Sequence, residues 1–293
     1  MLTLVVGTGR CGSTLVQEVL ARHPSAGFVS GLDDRLPRFN RIGRFNGPIY
    51  RHLAPRQGES RARGQRWIAP TEAYRLLDRH VFAGFSAPCR DLVADDLSPI
   101  MERRVRSFFD TRARRQDCKV LFQHLTGWPR TGFLHAAYPE LRVIHVVRDG
   151  RAVANSWLQT PWWDGWRGPD AWRYGPLPPP LRHEWEESGR SFAVLAALCW
   201  KMLMDAYAQA RMVHPGGQWL DVRYEELVRA PNEQVARMLK FLGLEWTPQF
   251  EKGFARHRFH TERGGAYRYE LTATQVAAIE RVLDKPLRHW AYE

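Results

Sequence analysis

The chain has 293 residues, 44% of them hydrophobic, enough for a sizeable buried core. A formal net charge of +12 and a pI near 10.0 call for an anionic partner, and the absence of low-complexity stretches and internal repeats excludes a disordered tail or a repeat array. Four widely spaced cysteines, Cys11, Cys89, Cys118 and Cys199, form no C-x-x-C pair, which excludes a zinc-type cysteine site; reduced thiols and no bound metal are expected.

Leu2–Val6 is a short continuous apolar run, followed by Gly7-Thr8-Gly9-Arg10-Cys11-Gly12-Ser13-Thr14 and an apolar-periodic stretch from Leu15. This pattern predicts a buried strand, a glycine turn and a helix whose N-terminus receives an anion. The spacing is that of a phosphate loop, Gly-x-x-x-x-Gly-Lys-Ser/Thr, with Ser13 in the lysine's place. Without that lysine the loop is unsuited to triphosphate hydrolysis. It retains backbone N–H groups, two hydroxyls and the Arg10 guanidinium. A strand opening at Leu2 leaves no room for a leader or N-terminal anchor, and Phe192–Met204, the longest later apolar run, is too short to span a bilayer. A soluble cytoplasmic protein is the expectation.

The first helix is expected to stop at Arg22-His23-Pro24. Asp33 and Asp34 follow, able either to act as a general base or to pair with arginines. Between positions 35 and 66 nine arginines face a single acid, Glu59, in a loop-rich stretch that is either a solvated basic surface or a flap over an anionic substrate. Helices are predicted over 71–82 and 97–109, the second capped by Ser98-Pro99. Lys119–His124 reads as a strand, and His124 stands where an α/β sheet presents chemistry, at the carboxyl end of a strand.

Leu141–Val147 followed by Arg148-Asp-Gly-Arg-Ala-Val-Ala-Asn-Ser156 repeats the opening logic: buried strand, glycine turn, helix. Arg148 and Ser156, about two helical turns apart, can reach one tetrahedral anion. Residues 157–190 hold Trp157, Trp162, Trp163, Trp166, Trp172 and Trp185, suited either to stacking on an acceptor or to a loop's own small core. A core helix is predicted from Ser191 to about Val213, with Phe192 on its apolar face, and a terminal helix over 274–283 ended by Pro286. Together these elements predict an α/β, three-layer, phosphate-loop-like fold: a central parallel sheet flanked by helices, in one domain over 1–293 with insertions near 33–70 and 157–190.

With these two motifs the chain resembles the sulfotransferase family that uses 3′-phosphoadenosine 5′-phosphosulfate (PAPS). The loop at 7–14 is similar to the family's 5′-phosphosulfate loop, and Val147–Ser156 to its 3′-phosphate motif. Trp219–Val228, with Pro231 and the helix ending Phe241-Leu-Gly-Leu, is similar to its late strand and helix. The resemblance implies sulfuryl transfer to a hydroxylated acceptor, with 3′-phosphoadenosine 5′-phosphate (PAP) as product. It implies that Gly9, Arg10, Cys11, Gly12, Ser13 and Thr14 hold the 5′-phosphosulfate, Arg148 and Ser156 the 3′-phosphate, Tyr224 the adenosine side, and Arg263 a closing loop. Phe122-Gln-His124-Leu resembles the family's Lys-Thr-His-Leu stretch, making His124 the implied general base, with Asp33 and Asp34 the alternatives; Gln123 falls near a lysine used by the family. An acidic glycan, a glycolipid and an aromatic natural product all suit the acceptor side, and no nucleic acid is expected. Two other readings compete: a phosphate-loop kinase, which would need a lysine at position 13, and a polyanion-binding module, which has no use for two separate cradles.

Overall fold

The computed structural model describes residues 1–36, 43–55, 65–261 and 264–292, and of Gln65 and Arg66 the backbone alone. Among them five strands, β1 (Leu2–Gly7), β2 (Ala26–Phe28), β3 (Val120–Thr126), β4 (Arg142–Val147) and β5 (Trp219–Arg223), form one sheet in the order β2-β3-β1-β4-β5. Every pairing is parallel, with Val5 of β1 opposite His124 on one side and Ile144 on the other. The sheet is buried on both faces, as parallel sheets are, which is why its central strands read as apolar runs.

Side chains alternate across the sheet and so divide the core in two. Leu2, Leu4, Val6, Leu121, Leu125 and Val143 face the helices Tyr74–His80, Pro99–Gln116 and Thr131–Ala137. Val5, Val120, Phe122, Ile144, Val146 and Val222 face the helices Ser13–Leu20, Pro231–Leu242 and Pro248–Phe254. A further cluster joins the helices Gly150–Leu158, Phe192–Met212 and Ala273–His289 to the tryptophan-rich insertion. The layers are those of the predicted α/β phosphate-loop-like fold.

Several boundaries differ from the sequence reading. The first helix ends at Leu20, ahead of Pro24. The helix predicted from 71 begins at Tyr74, because Thr71 donates its N–H to Val29 and Pro70 bridges Ser30, holding 70–72 extended beside the end of β2. The helix predicted to stop near 109 runs to Gln116, where Asp117 takes a left-handed φ of 47°. Pro286 lies inside the terminal helix, which runs from Ala273 to His289: buried Leu283 and Leu287 hold its last turn in place despite the missing N–H. Phe192, predicted as core, is 49% exposed because it opens its helix just after the Ser191 cap.

Candidate active site

The site lies outside the carboxyl ends of β1, β3 and β4. After β1 the chain turns through Gly9, Arg10 and Gly12 at φ of 90°, 56° and 92°, and Gly12 caps the Ser13 helix. A Cβ on Gly12 would sit 2.3 Å from Cδ2 of Tyr224, so only glycine lets the loop pass that ring. Arg10 is held in the left-handed region at a cost of about 1–2 kcal/mol, a strain proteins retain where a side chain must be aimed.

The second motif meets the first here. Arg10 donates through Nε to Ser156 Oγ at 2.9 Å, and Arg148 donates through Nη1 to the backbone carbonyl of Arg10 at 3.0 Å. The Arg148 guanidinium lies 4.8 Å from the centre of the Tyr224 ring. The turn after β4 is itself locked: Asp149 caps the Gly150 helix and binds Arg151, which also reaches Glu280.

Gly9, Arg10, Gly12, Arg148 and Tyr224 border a cavity of about 560 Å³, within the usual range for a ligand site. Its lining includes Thr8, Gly9, Arg10, Gly12, Ser13 and Thr14 with Arg148 and Tyr224, and also Glu72, Tyr74, Ser86–Pro88, Thr126–Trp128, Arg130, Trp162, Arg173 and Tyr174. The loop residues and Arg148 supply cations, hydroxyls and a helix N-terminus, all suited to anions. Its donor set fits a ligand with two phosphate-like groups.

The remaining expected residues fall in different places. Cys11 is buried, its Sγ under Gly7, so only its backbone belongs to the loop wall. Ser156 does not line the cavity and is reached through Arg10. His124 is 1% exposed; its Nε2 lies 2.8 Å from Ser13 Oγ and its Nδ1 3.6 Å from Glu72 Oε1. Asp33 closes a capping box with Ser30 and accepts from Asn46, and Asp34 accepts the Leu76 N–H at 3.1 Å. Burial raises both carboxyls above the usual range, and neither lines the cavity. Arg263 and, of the 35–66 stretch, residues 37–42 and 56–64 with Arg38, Arg41, Arg56, Arg61 and Arg63 lie outside the described residues; Gly264 and Gly265 border a separate polar hollow with Arg151, Arg223 and Arg268.

Three wall residues carry no local signal in the sequence. Glu72 is one. Arg130 is buried and donates to the carbonyls of Phe85, Ser86, Thr126 and Trp128, tying these two lining segments together, while its N–H binds Asp91, whose carboxyl burial pushes up to about 6. Arg173 stands over Trp162, 5.4 Å from its ring centre. The insertion divides its tryptophans: Trp157, Trp163, Trp172 and Trp185 are buried with Trp157 stacked on Trp163, whereas Trp162 and Trp166 are 40% and 62% exposed. Among the described residues no group of three or more His, Cys, Asp or Glu is placed to hold a metal ion, and no helix is long and apolar enough to cross a membrane.

Comparison with known proteins agrees with this architecture. A model of the sulfotransferase family matches residues 3–248, so the chain belongs to that family, whose enzymes use PAPS as donor. Residues of the chain are 33% identical over 78 positions to carbohydrate sulfotransferase 4 of Mus musculus and 26% identical over 171 positions to carbohydrate sulfotransferase 5 of Homo sapiens. The matches cover 22% and 52% of this chain and 20% and 40% of those relatives, less than half their length. Among solved structures, sulfotransferase STF9 from Mycobacterium avium shares the fold with a TM-score of 0.54 at 14% identity, over 100% of this chain and 77% of that one. STF1 from Mycobacterium tuberculosis H37Rv gives 0.52 at 16% identity over 96% and 75%.

Proposed function

We propose that this chain moves a sulfuryl group from PAPS to a hydroxyl of a carbohydrate acceptor. The observation that carries the reading is the meeting of the two motifs: Arg10 reaches Ser156, Arg148 reaches the Arg10 carbonyl, and both arginines line one cavity. A ligand with one anion in the loop after β1 and a second near Arg148 suits this arrangement; a nucleoside triphosphate, with its phosphates in one chain and no lysine at position 13 to meet them, does not.

When bound, the donor supplies an activated sulfuryl group whose transfer gathers negative charge on the leaving phosphate. Arg10, Ser13 and Thr14, with the N–H groups of Gly9, Cys11 and Gly12, would hold its 5′ side. Arg148 and Ser156 would hold the 3′-phosphate, and Tyr224 would lie along the adenosine side. Arg10 and the positive end of the Ser13 helix are fixed before reaction, so the charge meets oriented donors without reorganisation. Trp162 and Arg173 in the lining support the acceptor assignment. Trp162 offers half-exposed indole surface beside Arg173, the combination that stacks a sugar ring and pairs an acidic substituent.

Incubating the chain with PAPS and separate panels of oligosaccharides, glycolipids and phenols, followed by mass spectrometry, tests the reading. Sulfated oligosaccharide is the expected product. Sulfation confined to phenols would refute the acceptor class, and no sulfated product with PAPS remaining intact would refute the activity.

A further inference from the structure

Sulfuryl transfer to a hydroxyl needs a group that takes the hydroxyl's proton. We infer that Glu72 is this base, and that His124 and Gln123 are positioning residues for it; the inference rests on the function proposed above.

Glu72 is the one carboxylate among the described residues that line the cavity. Its side chain is 34% exposed, open to an acceptor in the cavity. Its position is built rather than incidental. The bridge between Ser30 and Pro70 and the bond from Thr71 N–H to Val29 carry the chain along the end of β2. Gln123 of β3 then donates through Nε2 to the Glu72 carbonyl at 2.7 Å. Next along β3, His124 projects to the other face of the sheet and places Nδ1 3.6 Å from the Glu72 carboxylate.

His124 is poorly placed to take the proton itself. It lies under the loop, both ring nitrogens face protein groups, and it does not line the cavity. Tyr74, the neighbouring hydroxyl, is engaged by Thr126, donating to its carbonyl at 3.0 Å and accepting its N–H at 2.8 Å. A carboxylate in a cavity lined by Arg10, Arg148 and Arg173 repels the anions those residues attract, so a role in binding the donor gives no account of it. Accepting a proton does.

In the step, the acceptor oxygen forms its bond to sulfur as its proton passes to a Glu72 oxygen. The bond from sulfur to the bridging oxygen breaks, and its electron pair leaves on the phosphate facing Arg10. Glu72 then releases the proton to solvent and is ready again.

The test compares wild type with Glu72→Gln, Glu72→Asp and His124→Gln in the full chain. Calorimetry measures PAP affinity; PAP release from PAPS, with water as acceptor and with an unsulfated oligosaccharide, measures turnover across pH. Glu72→Gln should bind PAP within about threefold of wild type yet lose about 10²–10⁴-fold in kcat, with the acidic limb of the pH profile gone. Glu72→Asp should recover part of the rate, and His124→Gln should lose less than Glu72→Gln while shifting the acidic limb. An already ionised acceptor, 4-nitrophenolate, should shrink the Glu72→Gln deficit. Turnover of Glu72→Gln within about fivefold of wild type, or a loss matched by lost PAP affinity, would overturn the assignment. Wild type that fails to bind PAP would instead bring down the donor reading on which it rests.

Discussion

Arg10 and Ser156, 146 residues apart, are joined by a 2.9 Å hydrogen bond from the guanidinium Nε to the hydroxyl. One sits in the loop after β1, the other on the helix after β4. Because β1 and β4 are neighbours in the sheet, two strand-turn-helix motifs far apart in the sequence meet at one end of it.

Arg148 is the cation that distinguishes a 3′-phosphate from its absence in this account. Arg148→Ala removes a charge-assisted contact worth about 1.5–3 kcal/mol, so PAP affinity should fall about 10–100-fold while affinity for adenosine 5′-phosphate changes little. Titrating both nucleotides into both proteins gives the answer; an equal loss for both would assign Arg148 to the loop instead of to a second anion.

Gly12 tests the geometry of the cradle. Gly12→Ala must place a Cβ 2.3 Å from the Tyr224 ring at a φ of 92°. Strain and overpacking together should cost about 2–4 kcal/mol, seen as a lower denaturation midpoint and weakened PAP binding. Replacing Tyr224 by Ala in the same chain should restore only part of the loss, since the backbone strain stays.

The tryptophans of the insertion should separate by burial. Trp163→Ala, which empties a site stacked on Trp157, should destabilise the fold by about 3–5 kcal/mol. Trp162→Ala should leave the unfolding midpoint and PAP affinity near wild type and raise KM for the acceptor, as read by steady-state rates at saturating donor.

Acid should weaken the fold through its buried histidines. Burial, with His135 alongside, drives His214 down to about 4, and burial beside Arg22 drives His257 to about 3. Both lie below the unfolded value near 6.5, so the unfolded chain takes up protons first. Their contribution is complete above about pH 6.5 and is lost as pH falls toward these folded values. Between about pH 6.5 and 5 each removes up to about 2 kcal/mol. Urea unfolding of His214→Gln should show a shallower fall over that window; an unchanged slope would mean that His214 is not what titrates.

The two strand-turn-helix motifs were legible because each is local: strand, glycine turn and helix fall within about fifteen residues. The parallel sheet followed from the same apolar runs. Glu72 was not legible, since the interactions that place it run from β2 and from Gln123, 51 residues away, and the helical reading of 71–82 hid its extended backbone. Gln123 holds that backbone through its side-chain amide. Nor could spacing divide Trp162 from Trp163, because an irregular loop has no period that marks which side is buried. Asp33 and Asp34 looked available as bases for want of the Asn46 and Leu76 contacts that only the fold supplies.

The central claim is a two-anion clamp for a 3′-phosphorylated adenosine donor, and isothermal titration of the full chain with PAP and with ATP addresses it most directly. Tight one-to-one binding of PAP, weak binding of ATP without dependence on magnesium, and loss of the difference in Arg148→Ala are expected. Equal affinity for the two nucleotides, or magnesium-dependent preference for ATP, would contradict it.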